Sequence, residues 1–212
     1  MKLQTIYAAI LRHNPFSKFA IYFFIVIGTV FLLSPPDLYP KWFFPRLTGI
    51  GALFCATVLI ALAAFFRINP ESDLATLNRK HRALRRLQTY TALVFILGIT
   101  GTLGLYQLEI PYDKFLHLFQ PFFITIALSR FLYRWKEMPL DRAIAITMVV
   151  VLLLSAGWEL LEFTSDQIFG TQALGLRGKE IFTDTIFNAS LDLLGTLMGV
   201  AAVYLRKKPW PY

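Results

Sequence analysis

Residues 141–163 read DRAIAITMVVVLLLSAGWELLEF, and this stretch decides the class of fold. A helix rises 1.5 Å per residue, so about 20 mostly apolar residues cross the roughly 30 Å of hydrocarbon in a bilayer. The stretch has that length and carries two carboxylates, Glu159 and Glu162, near its end. It therefore predicts a membrane-spanning helix with charged groups close to one membrane surface.

The whole chain has the composition of a membrane protein. Of its 212 residues, 56% are hydrophobic and 16% are charged, and its mean hydropathy is +0.56. Soluble domains are nearer 45–50% apolar and about 25% charged, so the excess predicts contact with a lipid bilayer. The spans are predicted at 18–34, 47–66, 89–109, 115–134, 141–163 and 184–205. We expect an all-α, polytopic transmembrane helical bundle of about six spanning helices, forming a single transmembrane domain over residues 1–212.

The basic residues predict the orientation. Sixteen of the 21 Lys and Arg residues fall in the N-terminal segment, the 67–88 loop, the 130–142 turn and the C-terminal tail. The positive-inside rule then places both termini in the cytoplasm. The net charge of +8 is explained in this way, and nucleic-acid binding is not expected, because the basic residues lie between apolar runs rather than on one face of a soluble module.

The 67–88 loop has the pattern of a basic amphipathic helix. Ser72 is a candidate N-cap, and leucines recur at helical spacing at 74, 77, 84 and 87. Such a helix would lie against anionic lipid head groups, with partner binding as the alternative. Residues 1–88 are thus expected to hold the first two spans and this cytoplasmic loop, and residues 89–212 a four-helix core.

Polar residues form a stripe on each of the last three predicted spans. The stripes are Asp113, His117 and Gln120; Glu159, Glu162 and Asp166; and Asp184, Asn188 and Asp192. Because a helix turns about 100° per residue, each set shares one helix face. In the predicted orientation all three stripes begin at the external surface. They therefore predict one outward-opening pocket.

Carboxylates that lie together in a membrane repel one another, so a divalent cation, shared protons or a cationic ligand is expected there. Carboxylates with one imidazole suit Zn, Mn or Fe. The predicted metal ligands are Asp113, His117, Glu159, Glu162, Asp166, Asp184, Asn188 and Asp192. The alternative is that these residues only fix helix register, by pairing with each other and with Lys114, Arg177 and Lys179.

The loop between Thr164 and Thr183 is rich in glycine and carries Arg177 and Lys179. It is expected either to close over the pocket and contact an anionic substrate group, or to be an ordinary connector.

Four motifs also carry a family resemblance. They are Tyr112-Asp113-Lys114-x-x-His117, Trp158-Glu159-x-x-Glu162-Phe163, Phe169-Gly170-Thr171-Gln172, and Asp184-Thr185-x-x-Asn188 followed by Gly195. Together they resemble the YjdF-like family of bacterial inner-membrane proteins and, more distantly, VanZ-like proteins. The resemblance spans about residues 110–200 and implies a small multi-helix protein of the bacterial cytoplasmic membrane. VanZ-like relatives imply a link to the cell envelope. Asn188 departs from the pattern, since relatives have Asp there, and Asp192 supplies a carboxylate one turn deeper.

The leading hypothesis is an outward-facing pocket that binds a divalent cation and acts on an envelope or lipid-linked substrate. His117, Glu159 and Glu162 are the predicted catalytic residues, for metal ligation or general acid–base work in a hydrolysis. The alternatives are a proton- or cation-coupled transporter and a non-catalytic membrane scaffold. Against a transporter, the sequence shows neither an internal repeat nor an evident polar path through the cytoplasmic halves of the helices.

Overall fold

Six α-helices make up the regular structure of the described residues, with two short 3₁₀ turns and no strand among them. The computed structural model describes residues 14–40, 43–66, 73–107, 111–170 and 181–205. The helices are α1 (Pro15–Leu33), α2 (Pro45–Phe65), α3 (Leu74–Thr102), α4 (Tyr112–Trp135), α5 (Leu140–Phe169) and α6 (Ile181–Leu205). All except α3 are long and apolar enough to span a membrane. The prediction of an all-α polytopic membrane protein is confirmed.

The third predicted span differs from the expectation. Residues 89–102 form the second half of α3, and the basic segment from Leu74 forms its first half, so one helix of 29 residues replaces the predicted loop helix and separate span. No proline interrupts this stretch, and nothing else in it stops a helix. Asp73 caps the helix by accepting from the Thr76 N–H at 2.9 Å, which lowers the pKa of Asp73. Ser72, the predicted cap, lies outside the described residues. The cytoplasmic location of both termini stays a prediction.

The chain divides into two compact units. The first takes residues up to Leu108 together with Arg134–Glu137, and α1, α2 and α3 pack around its core. The core residues are mainly small or aliphatic: Ala20, Ile21, Phe24, Ala52, Ala56, Leu59, Ala92 and Ile99. Small residues let helix backbones approach closely, which is the usual way to pack helices in lipid. Asn14 joins α1 to α3 by donating to the Arg85 carbonyl and to Thr89 Oγ1, both at 2.9 Å.

The second unit contains α4, α5 and α6. Helix α5 runs six residues beyond the predicted limit at 163 and ends at Gly170, whose φ of 66° is left-handed, as glycine allows. Helices α4 and α6 approach each other closely at two glycines of α6. A Cβ at Gly195 would lie 2.1 Å from the Leu118 carbonyl oxygen, and one at Gly199 would lie 2.7 Å from Thr125 Cβ. The glycines therefore bring two backbones together at the level of the polar stripes.

Candidate functional site

The polar stripes of α4, α5 and α6 meet where α4 and α6 begin and α5 ends. This cluster consists of Asp113, Lys114, His117, Glu159, Glu162, Asp184, Asn188 and Asp192. All eight belong to the second unit. We call this end of the unit the cluster end, and we call its opposite end, at Tyr133 of α4, the far end.

Lys114 holds the outer part of the cluster together. Its ammonium group lies 3.0 Å from an Asp113 carboxylate oxygen and 2.8 Å from Asp184, and it also donates to Asn188 Oδ1. It lies 5.9 Å from the centre of the Phe187 ring. One cation from α4 thus binds two residues of α6, which fixes the register of these helices.

His117 forms the inner part of the cluster and is buried. Its Nδ1 lies 3.1 Å from Asp192 Oδ1, while its Nε2 lies 3.5 Å from Asp113 Oδ1 and 3.7 Å from Glu159 Oε1. An ionised carboxylate can only accept a hydrogen bond, so contact with Asp192 favours the tautomer with hydrogen on Nδ1. Nε2 faces carboxylate oxygens of Asp113 and Glu159, to which it donates a hydrogen when the ring is protonated, and it offers its lone pair to a cation when the ring is neutral.

Helix α5 supplies the remaining carboxylates. Asn188 Nδ2 donates to Glu159 Oε1 at 3.1 Å, which ties the end of α5 to α6. Glu162 follows three residues later and is buried. His117, Glu159 and Glu162 can each offer one ligand atom such that all three atoms lie within 4.8 Å of one another. This trio is the part of the cluster in which ligand atoms converge most closely.

The cluster carries more negative than positive charge. Five carboxylates, from Asp113, Glu159, Glu162, Asp184 and Asp192, surround one ammonium group and one imidazole. Within the described parts of the chain, Glu159 Oε2 and Asp192 Oδ2 are buried without a hydrogen-bond partner. Buried charges need a partner or a bound cation. The cluster therefore needs a shared proton, a divalent cation or a cationic ligand to balance these carboxylates.

Side-chain exposure falls steadily with depth. It is 32% for Asp113, 19% for Lys114 and 6% for His117, so the cluster opens at its own end of the unit and closes inward. Solvent thus reaches the outer carboxylates more easily than the imidazole.

The predicted site residues divide into three groups. Seven of the eight predicted metal ligands lie in the cluster. Asp166 is half-buried on α5 and does not belong to the converging trio. Arg177 and Lys179 lie outside the described residues, as does most of their loop.

Sequence reasoning underrated three features. Lys114 was considered only as a partner that fixes register, although its place beside Asp113 in the Asp-Lys-x-x-His motif puts it at the pocket. Pro121 lies inside α4 and has no N–H. The carbonyl of His117, four residues earlier, therefore lacks its usual helical donor. Gly195 sets the distance between the helices that bear His117 and Asp192.

The fold and the cluster define a class: a polytopic helical membrane protein with a buried carboxylate–imidazole site between three of its helices. The chain belongs to the family described as "Predicted membrane protein (DUF2238)", whose model matches residues 19–209. The match includes α1 and α2, which the four-motif resemblance left out. No curated protein and no solved structure matches the chain.

Proposed function

We propose that the cluster binds a divalent cation through His117, Glu159 and Glu162, and that the protein uses this site on an envelope or lipid-linked substrate. The observation that carries the proposal is the position of the His117 ring between a carboxylate of α6, Asp192, and a carboxylate of α5, Glu159. Asp192 Oδ1 lies 3.1 Å from Nδ1, and Glu159 Oε1 lies 3.7 Å from Nε2.

The contact with Asp192 is the kind that supports a metal-binding histidine. Such a histidine commonly donates its second ring N–H to a carboxylate, which fixes the tautomer and the ring orientation and makes the ligating nitrogen more basic. The 3.1 Å distance from Nδ1 to Asp192 suits that role. Asp192 is therefore assigned as an orienting residue, although the sequence pattern placed it among the ligands.

The trio also has a suitable size. In a tetrahedral zinc site with bonds of 2.0–2.2 Å, neighbouring ligand atoms are about 3.4 Å apart. The ligand atoms of the trio lie within 4.8 Å of one another, so side-chain rotations that close the longest distance by about 1.4 Å would supply three ligands of such a site. One imidazole and two carboxylates suit Zn, Mn or Fe.

The surplus of negative charge supports a cation as well. Lys114 compensates one of the five carboxylates, and the four that remain are left to be balanced by His117, by shared protons or by a bound ion. A divalent cation would offset two of these charges. Glu159 Oε2, which has no hydrogen-bond partner among the described residues, could then coordinate the cation.

The setting of the cluster supports a substrate at the membrane surface. Near the cluster, α4, α5 and α6 expose aromatic and aliphatic side chains suited to lipid: Phe115, Trp158, Phe163, Ile186 and Phe187. An amphiphile could keep its apolar chain in the bilayer and present its polar group to the open end of the cluster. A divalent cation held by His117, Glu159 and Glu162 would supply an acidic bound water, of pKa about 7 in the case of zinc, and would polarise a carbonyl or phosphoryl oxygen, so hydrolysis is the reaction we propose.

The proposal includes the finer family assignment and the location. The four motifs support a YjdF-like protein of the bacterial cytoplasmic membrane, with the cluster facing outward. The VanZ-like resemblance stays a prediction.

The test is the metal content of protein purified in detergent, measured by plasma mass spectrometry for the wild type, His117→Ala and Glu159→Gln. We expect close to one ion per chain in the wild type and a loss of most of it in both variants. Asp141→Asn is the matched control, since Asp141 lies on α5 and accepts from Tyr204 at 2.6 Å, and it should retain the ion. Wild-type protein that binds none of Zn, Mn or Fe, even after dialysis against each, would refute the cation site.

A further inference from the structure

Helix α4 continues its buried polar face beyond His117, toward the far end. His117, Pro121, Thr125 and Ser129 follow one another at intervals of four residues, and all four are buried. We call these four residues the seam. At 1.5 Å per residue, the seam extends about 18 Å from His117 to Ser129. It thus runs from the cluster through much of the thickness of a bilayer.

The seam leaves polar atoms without their usual helical partners. Pro121 cannot donate to the His117 carbonyl. Thr125 and Ser129 are 0% exposed, and their hydroxyl oxygens have no hydrogen-bond partner in the described ranges. Two free hydroxyl groups are therefore enclosed between the helices.

Other hydroxyl groups in the second unit behave differently. Four of them donate to the carbonyl four residues earlier at 2.7–2.8 Å, namely Thr147, Thr164, Ser190 and Thr196. This local bond is the common arrangement for serine and threonine in a membrane helix. The hydroxyl groups of Thr125 and Ser129 forgo it, so they remain available to other donors and acceptors.

The width of the seam limits what passes along it. Thr125 packs on α6, where a Cβ at Gly199 would lie 2.7 Å from Thr125 Cβ. Two backbones this close leave no channel for a hydrated metal ion. Protons need no such channel, because they move along hydrogen bonds.

We propose that Thr125 and Ser129 form a proton path between the cluster and the far end of the second unit. Each hydroxyl accepts a proton on one side and releases its own on the other, so one proton advances and no group is consumed. Ser129 lies about 6 Å beyond Thr125 along the helix, a distance that a single water molecule bridges. Thr125 lies about 12 Å beyond His117, so that part of the path needs water bound beside Pro121, where the His117 carbonyl is free of its helical partner and can accept a hydrogen bond. This activity goes beyond the proposed cation site and depends on different residues.

The experiment uses the full chain in liposomes that contain a pH-sensitive dye. A potassium gradient with valinomycin imposes a membrane potential, and the rate of internal pH change gives the proton flux. We expect wild-type vesicles to exceed empty vesicles, and the double variant Thr125→Val with Ser129→Ala to lose the protein-dependent flux by about tenfold or more, since both links of the hydrogen-bonded chain are removed.

Two variants keep the result interpretable. Ser190→Ala removes an exposed hydroxyl on α6 and should leave the flux unchanged. Thr125→Ser, made alone, keeps a hydroxyl at the seam and should retain most of the flux. The proposal is overturned if wild-type vesicles match empty ones, or if the double variant conducts like the wild type. Metal analysis of the same preparations separates this outcome from failure of the cation site.

Discussion

Replacing Gly195 by alanine tests how the α4–α6 contact positions the cluster. The added Cβ would lie 2.1 Å from the Leu118 carbonyl oxygen. An ordinary contact needs about 3.3 Å, so the backbones must separate locally by about 1 Å. Leu118 follows His117 directly, and Gly195 lies one turn after Asp192. The same separation would lengthen the His117–Asp192 contact from 3.1 Å to beyond hydrogen-bonding distance.

The magnitude follows from two effects. Overpacking a tight contact costs about 1–3 kcal/mol, and a lost hydrogen bond to a charged group costs about 1.5–3 kcal/mol. Because relaxation of the helices relieves part of both, we expect the free energy of unfolding to fall by about 3 kcal/mol. Loss of the orienting contact should also weaken metal binding about 10- to 100-fold.

The assays are equilibrium unfolding in detergent micelles and metal affinity by competition with a chelator. Gly157→Ala is the matched control, because a Cβ at Gly157 meets nothing within 4 Å. It should not lower the free energy of unfolding, and the higher helix propensity of alanine should raise it by up to about 1 kcal/mol. If Gly195→Ala unfolds at the same denaturant concentration as the wild type and binds the metal equally well, the glycine contact does not position His117 and Asp192.

Three further predictions concern other parts of the chain. Asn188→Asp replaces the amide that donates to Glu159 with a carboxylate that can only accept, so the metal-free protein should melt at a lower temperature than the wild type. Added Mn²⁺ should raise the Tm of the variant more than that of the wild type, and equal Tm shifts would contradict this prediction. Lys114→Met leaves Asp113 and Asp184 without their cation and should lower the free energy of unfolding in micelles by roughly 2–4 kcal/mol. Lys114→Arg should recover part of this loss. An unchanged free energy of unfolding in Lys114→Met would show that the ion pairs do not stabilise the fold. A cysteine at Arg82 should react with an impermeant maleimide only in inverted vesicles and one at Asp37 only in intact cells; the reverse pattern would overturn the predicted orientation.

The sequence predicts the polar faces well because they depend on local geometry alone. Helical spacing puts Asp113 and His117 on one face whatever surrounds them, and the same holds for Asp184, Asn188 and Asp192. Membrane topology then requires the three helix ends to lie near one membrane surface. These two rules suffice to predict the location of the cluster.

The pairing within the cluster was not predictable in this way. Which carboxylate meets which nitrogen of His117 depends on the rotation of α6 about its axis. That rotation is set by contact of Gly195 with the Leu118 carbonyl, a feature of two segments far apart in sequence. The sequence showed the glycines but not the surface against which they pack.

The limits of two helices were predicted wrongly for a different reason. The charged residues at 159, 162 and 166 suggested an early end for α5, although no helix breaker occurs before Gly170. In the same way, the change from basic to apolar residues near 88 suggested a boundary inside α3. Polarity marks where a helix meets water or lipid head groups, whereas capping residues, glycine and proline mark where it stops.

The continuity of α3 has a mechanical consequence. Its 29 residues make a rod about 43 Å long that carries positive charge at one end and core residues such as Ala92 and Ile99 at the other. Because such a helix moves as a single stiff body, a displacement of its charged end would also displace Ala92 and Ile99 in the core of the first unit, with no joint between them to absorb it.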